Sequence, residues 1–267
     1  RIDCFVIFIV VCRIVETEIV GIIRPNISNE DAESAARRVC MSLHRICVAP
    51  SDGGVTCWSA QHHEAEHYSA SYVSMVSCSR FGVCALVDEI AKTVEANPVN
   101  ETCNGFRVQC WGGDAFQMGG SLGDARVDND FISLCSGWYF TCALRKNGSM
   151  VCHGEPDFSH DVKGTYTSMS CGPFVLCAIH AGTGRAVCWG DDILEEAVPT
   201  DRVTQLAVGW DHACAVLDGP DDAGIVRCWG SDDLVTDLAQ HEGRVPSGKA
   251  EWAPAGRFLR VAAGYDV

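Results

Sequence analysis

The chain has 267 residues, and its 47% hydrophobic content suits one large all-β domain with a packed core rather than disorder. Twenty Lys and Arg stand against 35 Asp and Glu, a net charge of −15. That balance excludes the basic footprint needed to neutralise nucleic-acid phosphates and favours basic or neutral partners. Seventeen cysteines point to an oxidising compartment, either the secretory path and cell exterior or an organelle lumen.

The chain opens on an apolar run, Cys4 to Cys12 between Asp3 and Arg13, too short to cross a bilayer of ~30 Å as a helix. Its β-branched content predicts a buried or partner-covered strand, with a second strand from Ile19 to Ile23 and a remnant signal core as the alternative. Residues 29–38 place acids first and bases last, as a short helix favours. These elements form an N-terminal segment, 1–38, packing on a repeat domain, 39–267.

From residue 39 a unit recurs: Cys-Ala-Leu, a gap, then Cys-Trp-Gly. Its copies begin at Cys47, Cys84, Cys142, Cys177 and Cys214 and end at Cys57, Cys110, Cys152, Cys188 and Cys228, in repeats near 39–59, 76–112, 134–154, 169–190 and 206–230. Such units stack to bury their apolar faces. In the tightest copy, Lys146-Asn147-Gly148 is a hairpin turn that sets Cys142 opposite Cys152. Opposed residues of an antiparallel pair have Cα atoms about 4.5–5.5 Å apart, within disulfide reach. The same logic predicts Cys47–Cys57, Cys84–Cys110, Cys177–Cys188 and Cys214–Cys228, with insertions such as 87–107 and 218–224 at hairpin tips, where binding often evolves. Seven cysteines are left without assignment: Cys4, Cys12, Cys40, Cys78, Cys103, Cys135 and Cys171. That odd number leaves at least one thiol free or bonded to another chain, Cys103 being one candidate.

Upstream of the hairpins lie Ser77-Cys78-Ser79, Cys135-Ser136-Gly137, Ser170-Cys171-Gly172 and Ala207-Val208-Gly209, small residues that allow neighbouring backbones to approach closely. The signature returns at Ala262-Ala263-Gly264, so 259–267 reads as a repeat cut short; with Arg1 at the start, the chain reads as a processed or incomplete product.

Several patterns invite chemical readings. His63-Glu64-Ala65-Glu66-His67 matches the zinc-protease motif, but that motif needs a helix and a further ligand, so a solvated loop is expected and His63 and His67 remain weak metal candidates. Asp191-Asp192, Asp221-Asp222 and Asp232-Asp233 lack calcium-loop spacing and read as solvated turns. The glycine-rich stretch 112–123 lacks the lysine of a phosphate loop. Trp58, Trp111, Trp189 and Trp229 recur at one point of the unit and read as packing between units. Trp138 and Trp210, in Gly-Trp turns, are the binding candidates. Asn26, Asn100 and Asn147 head N-glycosylation sequons.

Val208-Gly209-Trp210-Asp211-His212-Ala213-Cys214-Ala215-Val216 with Val226-Arg227-Cys228-Trp229-Gly230 resembles the regulator of chromosome condensation repeat, as does the spacer from Trp111 to Asp124, over roughly residues 39–267. The resemblance implies a β-propeller of four-stranded blades, usually seven in a closed ring. The paired cysteines resemble those of secreted versions. Only about five repeats and the start of a sixth are visible, the repeat histidine is mostly replaced, and His153 rather than Trp follows Cys152. About six blades or an incomplete ring are therefore expected, with an open edge that a partner would cover. The functional expectation is a non-enzymatic protein-binding or scaffold propeller with no cofactor, acting through hairpin tips and loops. The alternatives are an accessory subunit of a larger assembly whose membrane contact is indirect, and the zinc hydrolase.

Overall fold

The computed structural model describes residues 3–6, 10–14, 17–18, 37–42, 45–50, 52–59, 62–80, 82–88, 106–112, 130–155, 162–190, 198–210, 212–219, 224–230, 258 and 261. They fall into two compact units, residues 1–37 and 38–267. In the first, the apolar run is two strands rather than one. β1 (Asp3–Val6) pairs antiparallel with β2 (Val10–Ile14), setting Cys4 opposite Cys12, and β3 (Thr17–Glu18) completes the sheet. The helix expected over 29–38 and the strand expected over 19–23 lie outside the described residues, apart from 37 and 38, which form a turn.

The second unit is all-β, built of five antiparallel sheets in chain order. Blade one holds β4 (Val39–Ser42), β5 (Arg45–Val48), β6 (Val55–Ser59) and β7 (His62–Tyr68), and blade two holds β8 (Tyr72–Cys78), β9 (Gly82–Asp88) and β10 (Arg107–Gly112). Blade three comprises β11 (Phe131–Ser136), β12 (Phe140–Arg145) and β13 (Met150–Gly154); blade four β14 (Tyr166–Cys171), β15 (Leu176–His180) and β16 (Ala186–Trp189); blade five β17 (Val203–Val208), β18 (His212–Leu217) and β19 (Val226–Gly230). The middle strands of blades two to five are apolar runs buried along nearly their whole length, as in Phe140-Thr-Cys-Ala-Leu144, because both of their faces meet protein. The first strands of blades two to five carry a register shift at one equivalent place, between Val73 and Met75, Phe131 and Ser133, Tyr166 and Ser168, and Val203 and Gln205. A bulge repeated in every such strand gives each the same added twist.

The core lies between blades. Cys47, Val55 and Cys57 of blade one pack with Val73, Val76 and Val83 of blade two, and Val175, Cys177 and Ile179 of blade four with Leu206, Ala213 and Trp229 of blade five. Trp111, Trp189 and Trp229 each pack back on the preceding blade, as expected from their recurrence. Trp58 has the equivalent position in blade one, where its row, Met41, Ile46 and Trp58, lies on the face turned away from blade two; Met41 is 43% and Trp58 36% exposed. Close approach of backbones is visible at Gly172, where an added Cβ would collide with the carbonyl oxygen of Gly209 in the next blade.

Blades are also joined by a repeated backbone bond from the tip of one to the start of the next. Tyr166 N donates to Gly148 O at 2.7 Å and Val203 N to Gly184 O at 2.8 Å. Phe258 N makes the same bond to Gly224 O at 2.6 Å, and Phe258 and Val261 pack on Cys214, Val216 and Val226. Phe258 and Val261 thus take the place that opens a sixth blade, while 259–260 and 262–267 lie outside the described residues.

Candidate functional site

All five expected hairpin disulfides are present, with Cα atoms 4.0–4.1 Å apart. Two further bonds, which the repeat pattern alone did not reveal, join blades: Cys40–Cys78 between one and two, and Cys135–Cys171 between three and four. Cys40 and Cys135 each sit in the row of their own blade's hairpin disulfide, opposite Cys47 and Cys142, whereas Cys78 and Cys171 sit one residue further along. The rule is therefore one position in a blade bonded to the next position in the following blade. At the interfaces between blades two and three and between four and five, serines stand in the donor row, Ser77 opposite Cys84 and Ser170 opposite Cys177, and hydrogen bonds join the blades. Ser170 Oγ accepts from Val208 N at 3.1 Å, and Thr141, bonded to Ser136 Oγ at 3.1 Å, lies 3.6 Å from Cys84 Sγ. Four of the seven unassigned cysteines are accounted for; Cys103 lies outside the described residues.

The short loops between the first and second strands of the blades form the most distinctive surface. Each is closed by one backbone bond, Ser79 N to Gly82 O, Gly137 N to Phe140 O, Gly172 N to Val175 O and Gly209 N to His212 O, at 2.8–3.0 Å. This common closure sets the residues after Ser79, Gly137, Gly172 and Gly209 in equivalent slots, and side chains from four blades meet there. Trp138 and Trp210, the two sequence-based candidates, touch edge to face with ring centroids 4.7 Å apart although they belong to blades two apart. Phe174 of the intervening blade meets Trp138 at 5.0 Å, and Tyr139 lies 6.4 Å from Phe174. The guanidinium of Arg80, from blade two, stacks 4.4 Å above the Trp138 ring and donates to Tyr139 Oη at 3.1 Å. Trp138 N donates to Pro173 O at 2.8 Å, which ties the loops of blades three and four together.

Edge-to-face pairs and a cation over an indole each add about 0.5–1.5 kcal/mol beyond area burial, so the cluster is preorganised. Its outermost ring, Phe174, is 40% exposed. Arg80 and Phe174 escaped sequence reasoning. Aligning the loops on their closing bonds, rather than searching for Trp, finds both: Arg80 shares the first slot with Trp138 and Trp210, and Phe174 shares the second with Tyr139.

The zinc-protease motif lies on a strand. β7 pairs antiparallel with β6, with a register shift between Cys57 and Ser59, opposite Glu66 and His62. This corrects both the helix that a metal site would need and the solvated loop expected from composition: a polar edge strand carries the segment. Thr56 Oγ1 and His67 Nδ1 are 3.0 Å apart, Glu66 pairs with Arg45 at 3.3 Å, and Tyr68 Oη donates to Glu66 at 2.6 Å. Burial, and then the bond to Glu66, push the Tyr68 pKa up; burial does the same to Tyr166. Cys40, Cys47 and Cys78 bring their sulfurs within 4.8 Å of one another, but all three are disulfide-bonded. The acidic pairs and most of the glycine-rich stretch lie outside the described residues.

The CRINKLY WD40 ectodomain of the Arabidopsis thaliana receptor kinase ACR4 matches 85% of this chain and 73% of its own length, with a TM-score of 0.56 and 21% identity. Prp20p from Saccharomyces cerevisiae, the yeast RCC1 protein, matches 83% of this chain and 65% of its own length, with a TM-score of 0.52 and 14% identity. The chain has the RCC1-like propeller fold. In sequence, the serine/threonine-protein kinase-like protein CCR2 of Arabidopsis thaliana is 41% identical over 76 residues, 25% of this chain and 10% of the relative. The match thus covers only about a tenth of that relative's length, and no family model matches the chain. The RCC1-like propeller described here carries seven disulfides, the chemistry of an oxidising compartment.

Proposed function

We propose that this chain is a non-enzymatic, extracellular binding propeller that recognises a protein partner through the aromatic face formed by Trp138, Tyr139, Phe174, Trp210 and Arg80. The observation that carries the reading is the convergence of these side chains from consecutive blades, with Phe174 standing proud. Trp, Tyr and Arg dominate interface hot spots, Trp and Tyr because they bury much area at little entropic cost and Arg because its planar guanidinium both stacks and donates several hydrogen bonds. Likeness to a receptor kinase ectodomain supports an exterior location.

This reading differs from binding at hairpin tips. In blades three to five the middle strand starts at an aromatic loop and ends at a tip, as β12 does between Tyr139 and Lys146, so the two surfaces lie about 20 Å apart at opposite ends of the strands. The test is capture of partners from native extracellular material on the intact chain, on Phe174→Ala and Trp210→Ala, and on the tip variant Arg185→Glu. A partner retained by the intact chain and Arg185→Glu but lost by both aromatic variants is the expected outcome. Loss with Arg185→Glu alone contradicts the proposal.

A second reading, an accessory subunit within a larger assembly, is favoured by the exposed apolar row of Met41 and Trp58 on the first blade. Monodisperse monomer under native conditions counts against it.

A further inference from the structure

The sequon Asn147-Gly148-Ser149 occupies the tip of the β12–β13 hairpin, where a group attached to Asn147 projects into solvent. Asn147 is exposed at the apex. Ser149 N donates to Asn147 Oδ1 at 2.9 Å and Ser149 Oγ donates to the same oxygen at 2.8 Å. Both donors fix which amide atom is oxygen, so Nδ2 is turned away from the turn and, among the described residues, carries no hydrogen bond. Around it the tip is firmly held: Gly148 N bonds Arg145 O at 2.9 Å, Arg145 N bonds Ser149 O at 2.9 Å, and Gly148 O receives Tyr166 N of the next blade. Gly148 has φ +87°, and an added Cβ there would stand 3.0 Å from Tyr166 O. Asn147 is thus the outermost point of a rigid turn.

We infer that Asn147 is an N-linked glycosylation site, and that its glycan projects from the end of the blades opposite the aromatic face. The inference rests on the extracellular reading above, because the donor, an oligosaccharide on a lipid pyrophosphate, is met in the secretory lumen. In the transfer, Nδ2 bonds to the anomeric carbon while the bond from that carbon to the lipid pyrophosphate breaks. The pyrophosphate leaves with the electron pair, and the proton that Nδ2 gives up passes to water. Cys152 follows the sequon in the chain, so the acceptor enters the lumen before the hairpin's disulfide can close. A glycan at this tip is about 20 Å from Trp138 along β12, so it adds a hydrated shield to one side of the propeller and leaves the aromatic side open.

The experiment directs the full chain through a eukaryotic secretory path and maps both disulfides and the peptide containing residue 147 by mass spectrometry. The expected result is oxidised hairpins together with a glycan on Asn147 whose enzymatic release leaves Asp at that position. The modification disappears in Asn147→Gln and persists in Ser149→Thr. Oxidised hairpins with unmodified Asn147 overturn the inference while leaving the extracellular reading in place. Cysteines that stay reduced contradict that reading, and the inference with it.

Discussion

Replacing Cys40 and Cys78 together by serine removes the bond between blades one and two and leaves every hairpin disulfide intact. The bond spans 38 residues, but the chain it closes is already shortened by Cys47–Cys57. With that bypass the loop is roughly 29 residues, and the chain-entropy relation gives about 3.6 kcal/mol, against about 2.7 kcal/mol for a hairpin bond such as Cys142–Cys152, whose loop is about 10 residues. The double variant Cys40→Ser/Cys78→Ser should therefore cost more than Cys142→Ser/Cys152→Ser, although the hairpin pair is the more buried. Denaturant unfolding ranks the two, and amide exchange locates the effect, because units stacked in a row exchange stability mainly with their neighbours. Exchange should quicken in β4–β6 and change little in β14–β19. Equal losses for both variants, or quickening spread evenly over all five blades, would refute the idea that this bond acts as a local clamp between neighbours.

Installing the missing clamp is the converse test. Ser170→Cys with Val208→Cys recreates, between blades four and five, the one-residue offset of the two natural bonds, and Val208 N already lies 3.1 Å from Ser170 Oγ. A disulfide between these positions should form spontaneously under oxidising conditions, and two thiols that remain alkylatable would contradict the offset rule. For the tyrosines, raised pKa values mean that the native state favours the neutral phenol. Their stabilising effect is complete below the unfolded value of about 10 and is lost as pH rises through the folded values. Ultraviolet titration should show a tyrosinate fraction appearing later in the native protein than in the unfolded chain and shrinking in Tyr68→Phe and Tyr166→Phe; superimposed curves contradict it.

The hairpins were legible because the information is local. Asn147-Gly148 fixes a turn, and the turn fixes which cysteines oppose. The bonds between blades were not, because Cys40 and Cys78 meet only through the stacking of two sheets offset by one residue, which no spacing within a repeat encodes. β7 was misread for another reason: His-His-Glu-Ala-Glu-His-Tyr has no alternating apolar face, since its segment is an edge strand held by pairing to β6 and by polar contacts such as Arg45 to Glu66. Trp138 and Trp210 stood out by residue type, but their meeting across blade four depends on loops of equal length converging. Arg80 shares the slot of Trp138 and Trp210, and Phe174 that of Tyr139, without the Gly-Trp pair that marks the other two loops.

A complete disulfide map of the protein from its native source tests most directly whether it is an oxidised propeller clamped from blade to blade. Non-reducing peptide mapping should recover Cys40–Cys78 and Cys135–Cys171 beside the five hairpin bonds. Free thiols at these positions, or a bond from Cys40 to its register partner Cys47, would contradict the account.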